Sequence, residues 1–245
     1  MFDANPLDLL TFETPYPLEG EHNGARVWAA PSGQVSLHFF AKPPDIGCPL
    51  EDEALHAFFL GNLTQGGMGL VEASTATVAG VLGVRMLAKA VMDPETNRGR
   101  IYVGSFILPF RDFSFVTKAQ FAEQGTTGVR EALVLNRLMA AGELEFETPE
   151  PSTPGPTFIG PAQMPGWLTG EGAPHLARNR AEDPAYDADF PEHPLSRVRR
   201  QLAQIQASAA LPEQVLRAPP FVFPPQPRSG GGLRGMFQRF KKGRS

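Results

Sequence analysis

Residues 70–122, LVEASTATVAGVLGVRMLAKAVMDPETNRGRIYVGSFILPFRDFSFVTKAQFA, decide the fold. Leu70 to Val78 is rich in β-branched residues, which favour a pleated strand. From Leu82 to Met92, Val84, Met86, Ala88 and Ala90 alternate with Arg85, Leu87, Lys89 and Val91, the period of a strand whose two faces meet different surroundings. Asp93-Pro94-Glu95-Thr96-Asn97-Arg98-Gly99 is a run of turn formers. Arg100 to Phe110 and Asp112 to Ala122 read as two further strands that meet near Pro109. Links this short exclude parallel neighbours, which need long crossovers, so the stretch predicts an antiparallel meander.

Upstream, Gln34 to Phe40 places Val35, Leu37 and Phe39 on one side and Ser36 and His38 on the other. Arg26 to Ala30 precedes it across Pro31-Ser32-Gly33, which predicts a hairpin. Asn23-Gly24 marks an earlier turn, and Asp8 to Phe12 reads as a short first strand. Between hairpin and meander, Leu50 to Thr64 carries Ala54, Leu55, Phe58, Phe59 and Leu63 at helical spacing. Glu51, Asp52 and Glu53 lie in its first turn, where the helix dipole favours acids, and Gly66-Gly67 ends it. Downstream, Thr127 to Ala141 predicts a second helix, capped by Thr126 or Thr127 and stopped by Gly142. Its expected stripe is Val129, Ala132, Leu133 and Asn136, widened by Leu135, Leu138 and Met139; Leu144 to Glu147 could add a short strand. The predicted class is α+β: a twisted antiparallel sheet, hairpin plus meander, covered by these two helices, with its core closed by residues 1–147 alone.

From Thr148 the composition changes. Of 25 prolines, 16 fall after residue 147, six of them between Pro149 and Pro165. Proline removes main-chain donors and blocks both helix and central strand, so a mostly unpacked tail is expected. It divides into a Pro-rich arm (148–194), a short helix (195–211), a Pro/Gly linker (212–232) and a basic amphipathic end (233–245). Phe158 and Trp167, then Tyr186 and Phe190, are candidate anchors of the arm. The short helix presents Leu195, Val198, Leu202 and Ile205 as a narrow apolar stripe. Residues 219–227 favour polyproline II, and Ser229-Gly230-Gly231-Gly232 a flexible hinge.

The net charge of −4 hides an asymmetry: residues 228–245 hold six cations and no acid. An acidic body argues against nucleic acid as a partner, because a nucleic-acid binder spreads its basic footprint over a folded face. Cys48 is the lone cysteine, so neither an internal disulfide nor a cysteine zinc site can form. The first residues lack a basic n-region and a long apolar run, and no stretch has the length of a membrane span; a cytoplasmic location is expected.

Catalytic signatures are missing from the sequence. It contains no Gly-Lys-Ser/Thr phosphate loop, no His-Glu-x-x-His and no Gly-x-Ser-x-Gly. His22, His38, His56, His175 and His193 lie without metal-ligand spacing, and His38 reads as an exposed sheet residue. Cys48 precedes a helix N-terminus, a setting that can activate a thiol. Gly66–Gly69 and Gly125–Gly128 are glycine-bearing; the second precedes a helix, whose amides could hold an anion or simply be capped. Phe106, Phe110, Phe113, Phe115 and Phe121, interleaved with Arg100, Arg111 and Lys118, could stack single-stranded bases, but adjacent strands use phenylalanine more often as core. No catalytic, cofactor or metal residue is assigned. The residues expected to contact a partner or membrane are Leu233, Met236, Phe237 and Phe240, spaced i, i+3, i+4, i+7, with Arg239, Lys241 and Lys242 beside them. A basic amphipathic helix of this kind suits an anionic membrane surface or an acidic partner groove.

The order hairpin, helix, meander, helix, with the string Gly-Ser-Phe-Ile-Leu-Pro-Phe-Arg-Asp-Phe-Ser-Phe at 104–115, resembles the PsbP-like fold over about residues 8–147. That fold is shared by a photosystem II extrinsic protein, a Ran-binding nuclear transport factor and bacterial chaperones of type VI secretion effectors. The resemblance implies a non-catalytic, chaperone-like adaptor that binds another protein; it carries over no functional residue. Residues 181–200 resemble uncharacterised bacterial proteins. The alternatives are a peripheral membrane protein anchored by residues 233–242 and an enzyme whose residues converge from several strands.

Overall fold

Alternation in the 70–122 stretch becomes four long antiparallel strands in the computed structural model, which describes residues 5–145 and 164–223. The chain forms β1 (Leu18–His22), β2 (Ala25–Ala30), β3 (Gly33–Phe40), α1 (Asp52–Gln65), β4 (Gly69–Val78), β5 (Val81–Asp93), β6 (Arg98–Pro109), β7 (Ser114–Ala122), α2 (Val129–Ala140), α3 (Pro194–Ser208) and α4 (Glu213–Leu216). The strands build one seven-stranded sheet ordered β1-β2-β3-β7-β6-β5-β4, with every pairing antiparallel. β3 pairs with β7, so hairpin and meander close into one sheet.

The α+β class stands, with three differences from the sequence reading. Residues 8–12 form no strand: Pro6–Asp8 is a 3-10 turn capped by the Asn5 side chain, and Thr11 exchanges main-chain hydrogen bonds with Ala210. Proline at the first helical position favours this turn. β1 was not foreseen, since its sequence, LEGEH, carries neither alternation nor β-branched residues.

The third difference concerns what covers the sheet. α1 lies on one face, burying Leu55, Phe59 and Leu63 against Leu70, Val84, Met86, Ala88, Ile107 and Val116. The opposite face is covered by α3, not α2. The expected stripe of Leu195, Val198, Leu202 and Ile205 is fully buried there, in one core with Leu37, Leu87, Tyr102, Phe106, Phe115 and Phe121. A fully buried aliphatic side chain contributes about 1.5–3 kcal/mol, so α3 is a main support of the fold. A core closed before residue 148 is therefore corrected, and so is the unpacked tail for residues 164–223. Val215 of α4 is buried in the same core, and Arg111 N–H donates to Pro219 O, so residues 212–220 belong to the fold rather than to a linker. Proline excludes regular hydrogen bonding along its own segment; it does not exclude packing.

α2 packs on the arm. Val134, Leu135 and Leu138 join Leu144, Met164, Trp167 and Ala181 in a separate cluster, with Tyr186 and Phe190 against it. Val129 and Leu133 of the expected stripe are exposed. The inward line is Arg130, Val134, Leu138, and an arginine at its head does not register as apolar periodicity.

Candidate functional site

The residues richest in chemistry lie along the seam where the arm crosses the α3 face of the sheet. β5 alternation puts Lys89 on that face beside Leu87, and β6 puts Tyr102 there beside Phe106. The arm supplies Glu182 from a 3-10 turn (Arg180–Glu182) with a capping box closed by Asn179. Lys89 Nζ donates to Glu182 Oε1 and Oε2 at 2.7 and 2.8 Å and to Ala177 O at 2.9 Å, so all three of its donors are used. Lys89 and Glu182 are 3% and 0% exposed. A pair this buried is weak evidence of net stability, but losing one partner leaves an uncompensated charge in the core.

A second knot lies beside it. Arg130, fully buried, donates to Ala181 O, Asp187 Oδ1, Ser196 Oγ and Asp183 O. Arg199 of α3 bonds Glu72 of β4, Asp187 and Glu182 O; Arg85 of β5 also bonds Glu72. Burial works to raise the Glu72 pKa, but Arg199 and Arg85 outweigh it and hold the carboxyl below its ordinary value. Sheet, arm and α3 are thus clamped by planar guanidinium groups, which suit such multidentate contacts.

At the end of the seam three elements bring Glu123, Glu131 and His193 together. Glu123 follows β7 and accepts from Gly128 N–H at 3.3 Å. Glu131 lies in the first turn of α2, with Oε1 3.5 Å from the Tyr102 hydroxyl, whose one proton has a nearer acceptor in Glu182 Oε1 at 3.3 Å. His193 is the N-cap of α3, with Nδ1 accepting from Leu195 N–H at 3.2 Å. Its Nε2 is 3.8 Å from Glu123 Oε1. Glu123 Oε2, Glu131 Oε2 and His193 Nε2 are all buried without a hydrogen-bond partner. One ligand-capable atom of each residue lies within 4.8 Å of those of the other two. The Tyr102 hydroxyl pKa is pushed well above its ordinary value by burial first and then by Glu182, Glu131 and Glu123, so the phenol stays protonated and donates. Sequence reading missed this cluster, because its members lie far apart in the chain and only the fold joins them.

The other residues singled out by sequence fall elsewhere. Gly128, rather than Thr126 or Thr127, caps α2, and its left-handed φ of 78° suits glycine. Thr127 Oγ1 instead accepts from Gly99 N–H. The amide offered to an outside anion takes the chain's own Glu123 carboxylate. Cys48 is buried with Ile46 beside α1, and burial pushes its thiol pKa up, against a reactive role. His38 is half-buried, 3.0 Å from Ser36 Oγ, rather than exposed. Phe106, Phe110, Phe115 and Phe121 are core residues, and Phe113 packs against them, so these rings present no stacking platform for bases. Trp167 is buried and Tyr186 and Phe190 pack beside it, as expected of anchors. Phe158 and the partner-contact residues Leu233, Met236, Phe237, Arg239, Phe240, Lys241 and Lys242 lie outside the described residues.

The two sheet edges differ. On β4, Thr75 N–H and Oγ1–H both donate to Asp52 Oδ1, holding that carboxyl below its ordinary pKa. Gln206 donates to Thr77 O, and Gly69 lies so close to Leu176 that a Cβ would sit 1.9 Å from its carbonyl oxygen. On β1, four of five residues are exposed, and no main-chain bond from another described segment reaches its outer edge. Leu18 is 57% exposed there.

No protein-family model matches the chain, and no curated protein matches it. Among solved structures, a crystal structure from Bacteroides thetaiotaomicron VPI-5482 aligns at 13% identity with a TM-score of 0.31, over 49% of this chain and 41% of that one. No helix among the described residues is long and apolar enough to cross a membrane.

Proposed function

We propose that the protein is a non-catalytic adaptor that receives an extended segment of another protein on the β1 edge. The asymmetry of the edges carries this reading. A sheet edge is a template for a further strand, and proteins normally blunt it. Here β4 is blunted by Asp52, Gln206 and the close backbone of Leu176. The outer edge of β1 takes no main-chain bond from the other described segments, although a bulge between Leu18 and Gly20 bends it, and its exposed carboxylates, Glu19 and the Arg26-paired Glu21, disfavour pairing with a second copy of the same acidic edge. They favour a partner strand that carries lysine or arginine, since opposed charges across a strand pair stabilise it. The chain's polar chemistry supports the same reading, because the largest ion network is spent on holding the arm and α3 to the sheet. The resemblance to PsbP-like proteins, several of which bind other proteins, agrees with it.

The test is site-specific photo-crosslinking in the native cell. A photoreactive residue at Glu19 should trap one defined partner, while the same residue at Thr77 on the blunted edge should trap none. Equal labelling from the two edges, or no adduct at Glu19, would remove this reading.

A further inference from the structure

We propose a second, separate site: an oxygen-seeking divalent cation held between the carboxylates of Glu123 and Glu131, with His193 donating from Nε2–H to a water on the ion. The argument begins with unmet valence. The side chains of Glu123 and His193 are only 6% and 9% exposed, yet Glu123 Oε2, Glu131 Oε2 and His193 Nε2 have no partner. A buried polar atom left unpaired is costly, and native interiors rarely tolerate three in one place.

Among the described residues, the buried lysine and arginines of the seam are already engaged. Lys89 is saturated by Glu182 and Ala177, and Arg130 and Arg199 by Asp187, Glu72 and arm carbonyls. His193 Nδ1 accepts the Leu195 amide at 3.2 Å. That bond fixes the tautomer: with Nδ1 accepting, the neutral ring carries its proton on Nε2 and offers no lone pair to a metal. The ligands left are carboxylate oxygens, which select a hard ion over zinc or copper. Calcium–oxygen distances of about 2.3–2.6 Å let one ion reach two oxygens nearly 5 Å apart. The two carboxylates meet that separation, since the cluster's ligand-capable atoms lie within 4.8 Å of one another. The ion would join the end of β7, the start of α2 and the start of α3.

Terbium(III), a calcium-like probe, makes the test direct, because the Tyr102 ring beside the cluster can sensitise its emission. Titration of the full chain with terbium(III) should give saturable tyrosine-excited emission that calcium displaces. Glu131→Gln and Glu123→Gln keep side-chain shape and should each weaken binding at least ~tenfold, the scale seen when a metal site loses a supporting group. His193→Asn retains an acceptor for the Leu195 amide and should weaken binding only about threefold, as for loss of one water-mediated contact. Circular dichroism of each variant separates lost binding from lost fold. Absence of saturable emission, or wild-type affinity in either glutamine variant, would overturn the site. A larger loss in His193→Asn than in Glu131→Gln would overturn the assignment of His193 as donor.

Discussion

Gly104 of β6 and Val198 of α3 meet with no side chain between them: a Cβ on Gly104 would lie 2.5 Å from Val198 Cγ1 and 2.7 Å from Leu202 Cδ1. The missing side chain is what lets α3 settle onto the sheet. Gly104→Ala should therefore destabilise the protein by about 1–3 kcal/mol, the usual penalty of overpacking. Gly61→Ala, which meets nothing within 4 Å inside α1, should stabilise by up to ~1 kcal/mol through helix propensity. Chemical denaturation of the two variants checks both signs; equal midpoints would mean that α3 is not seated on Gly104.

This contact also marks where sequence reading stops. Strands 70–122 were legible because alternation is local, and the α3 stripe was legible because Leu195, Val198, Leu202 and Ile205 keep helical spacing. What α3 covers was not legible, because the complementary signal is the absence of a side chain at Gly104, some ninety residues away. The α2 face was misread for a related reason: Arg130 heads the buried line, and its burial depends on Asp187 and Ser196 from the arm. The Glu123–Glu131–His193 cluster gave no spacing signal, since three elements build it.

The Lys89–Glu182 pair yields an asymmetric mutational outcome. Lys89→Met leaves Glu182 charged and uncompensated at 0% exposure, and should cost about 3–5 kcal/mol. Glu182→Gln in the Lys89→Met background removes that charge while keeping one carbonyl acceptor for the Asn179 N–H, and should recover much of the loss. A double-mutant cycle by urea denaturation measures it; additive effects would show that the two side chains do not interact.

Acid stability should follow Glu72. Its pKa is lowered in the folded state, so its ionisation stabilises the fold at pH above its unfolded value of about 4.5. That contribution fades as pH falls through the folded value, when the carboxylate that Arg199 and Arg85 grip takes up a proton. Glu72→Gln should lower stability at neutral pH and flatten the acid limb of the stability curve. An unchanged slope below pH ~5 would mean that Glu72 does not control this region.

Tyr102 predicts the opposite limb. Its raised pKa means that the neutral phenol is favoured by folding, so this contribution is complete below about pH 10 and is lost as pH rises beyond it. Of the three tyrosines, Tyr16 and Tyr186 are part-exposed, and Tyr102 is 1% exposed. Ultraviolet titration should show the Tyr102 phenol ionising only together with unfolding. Three ionisations completed within a native circular dichroism signal would contradict the buried placement.

The dependence of the core on α3 sets the limits of truncation. A chain ending at residue 147 keeps all seven strands but loses Leu195, Val198, Leu202, Ile205 and Val215, and so bares the face formed by Leu37, Leu87, Phe106, Phe115 and Phe121. Several fully buried aliphatic side chains, at about 1.5–3 kcal/mol each, match or exceed the whole stability of an ordinary domain. The shortened chain should lose cooperative unfolding, bind a hydrophobic dye and aggregate. A chain ending at residue 223 keeps every one of these contacts and should unfold cooperatively, near the midpoint of the full chain. Supplying residues 164–223 as a separate peptide should restore the lost transition to the 147-residue chain, because α3 and the arm act through packing and buried ion pairs rather than through covalent continuity. A 147-residue chain that melts as sharply as the full protein would refute this account of the core.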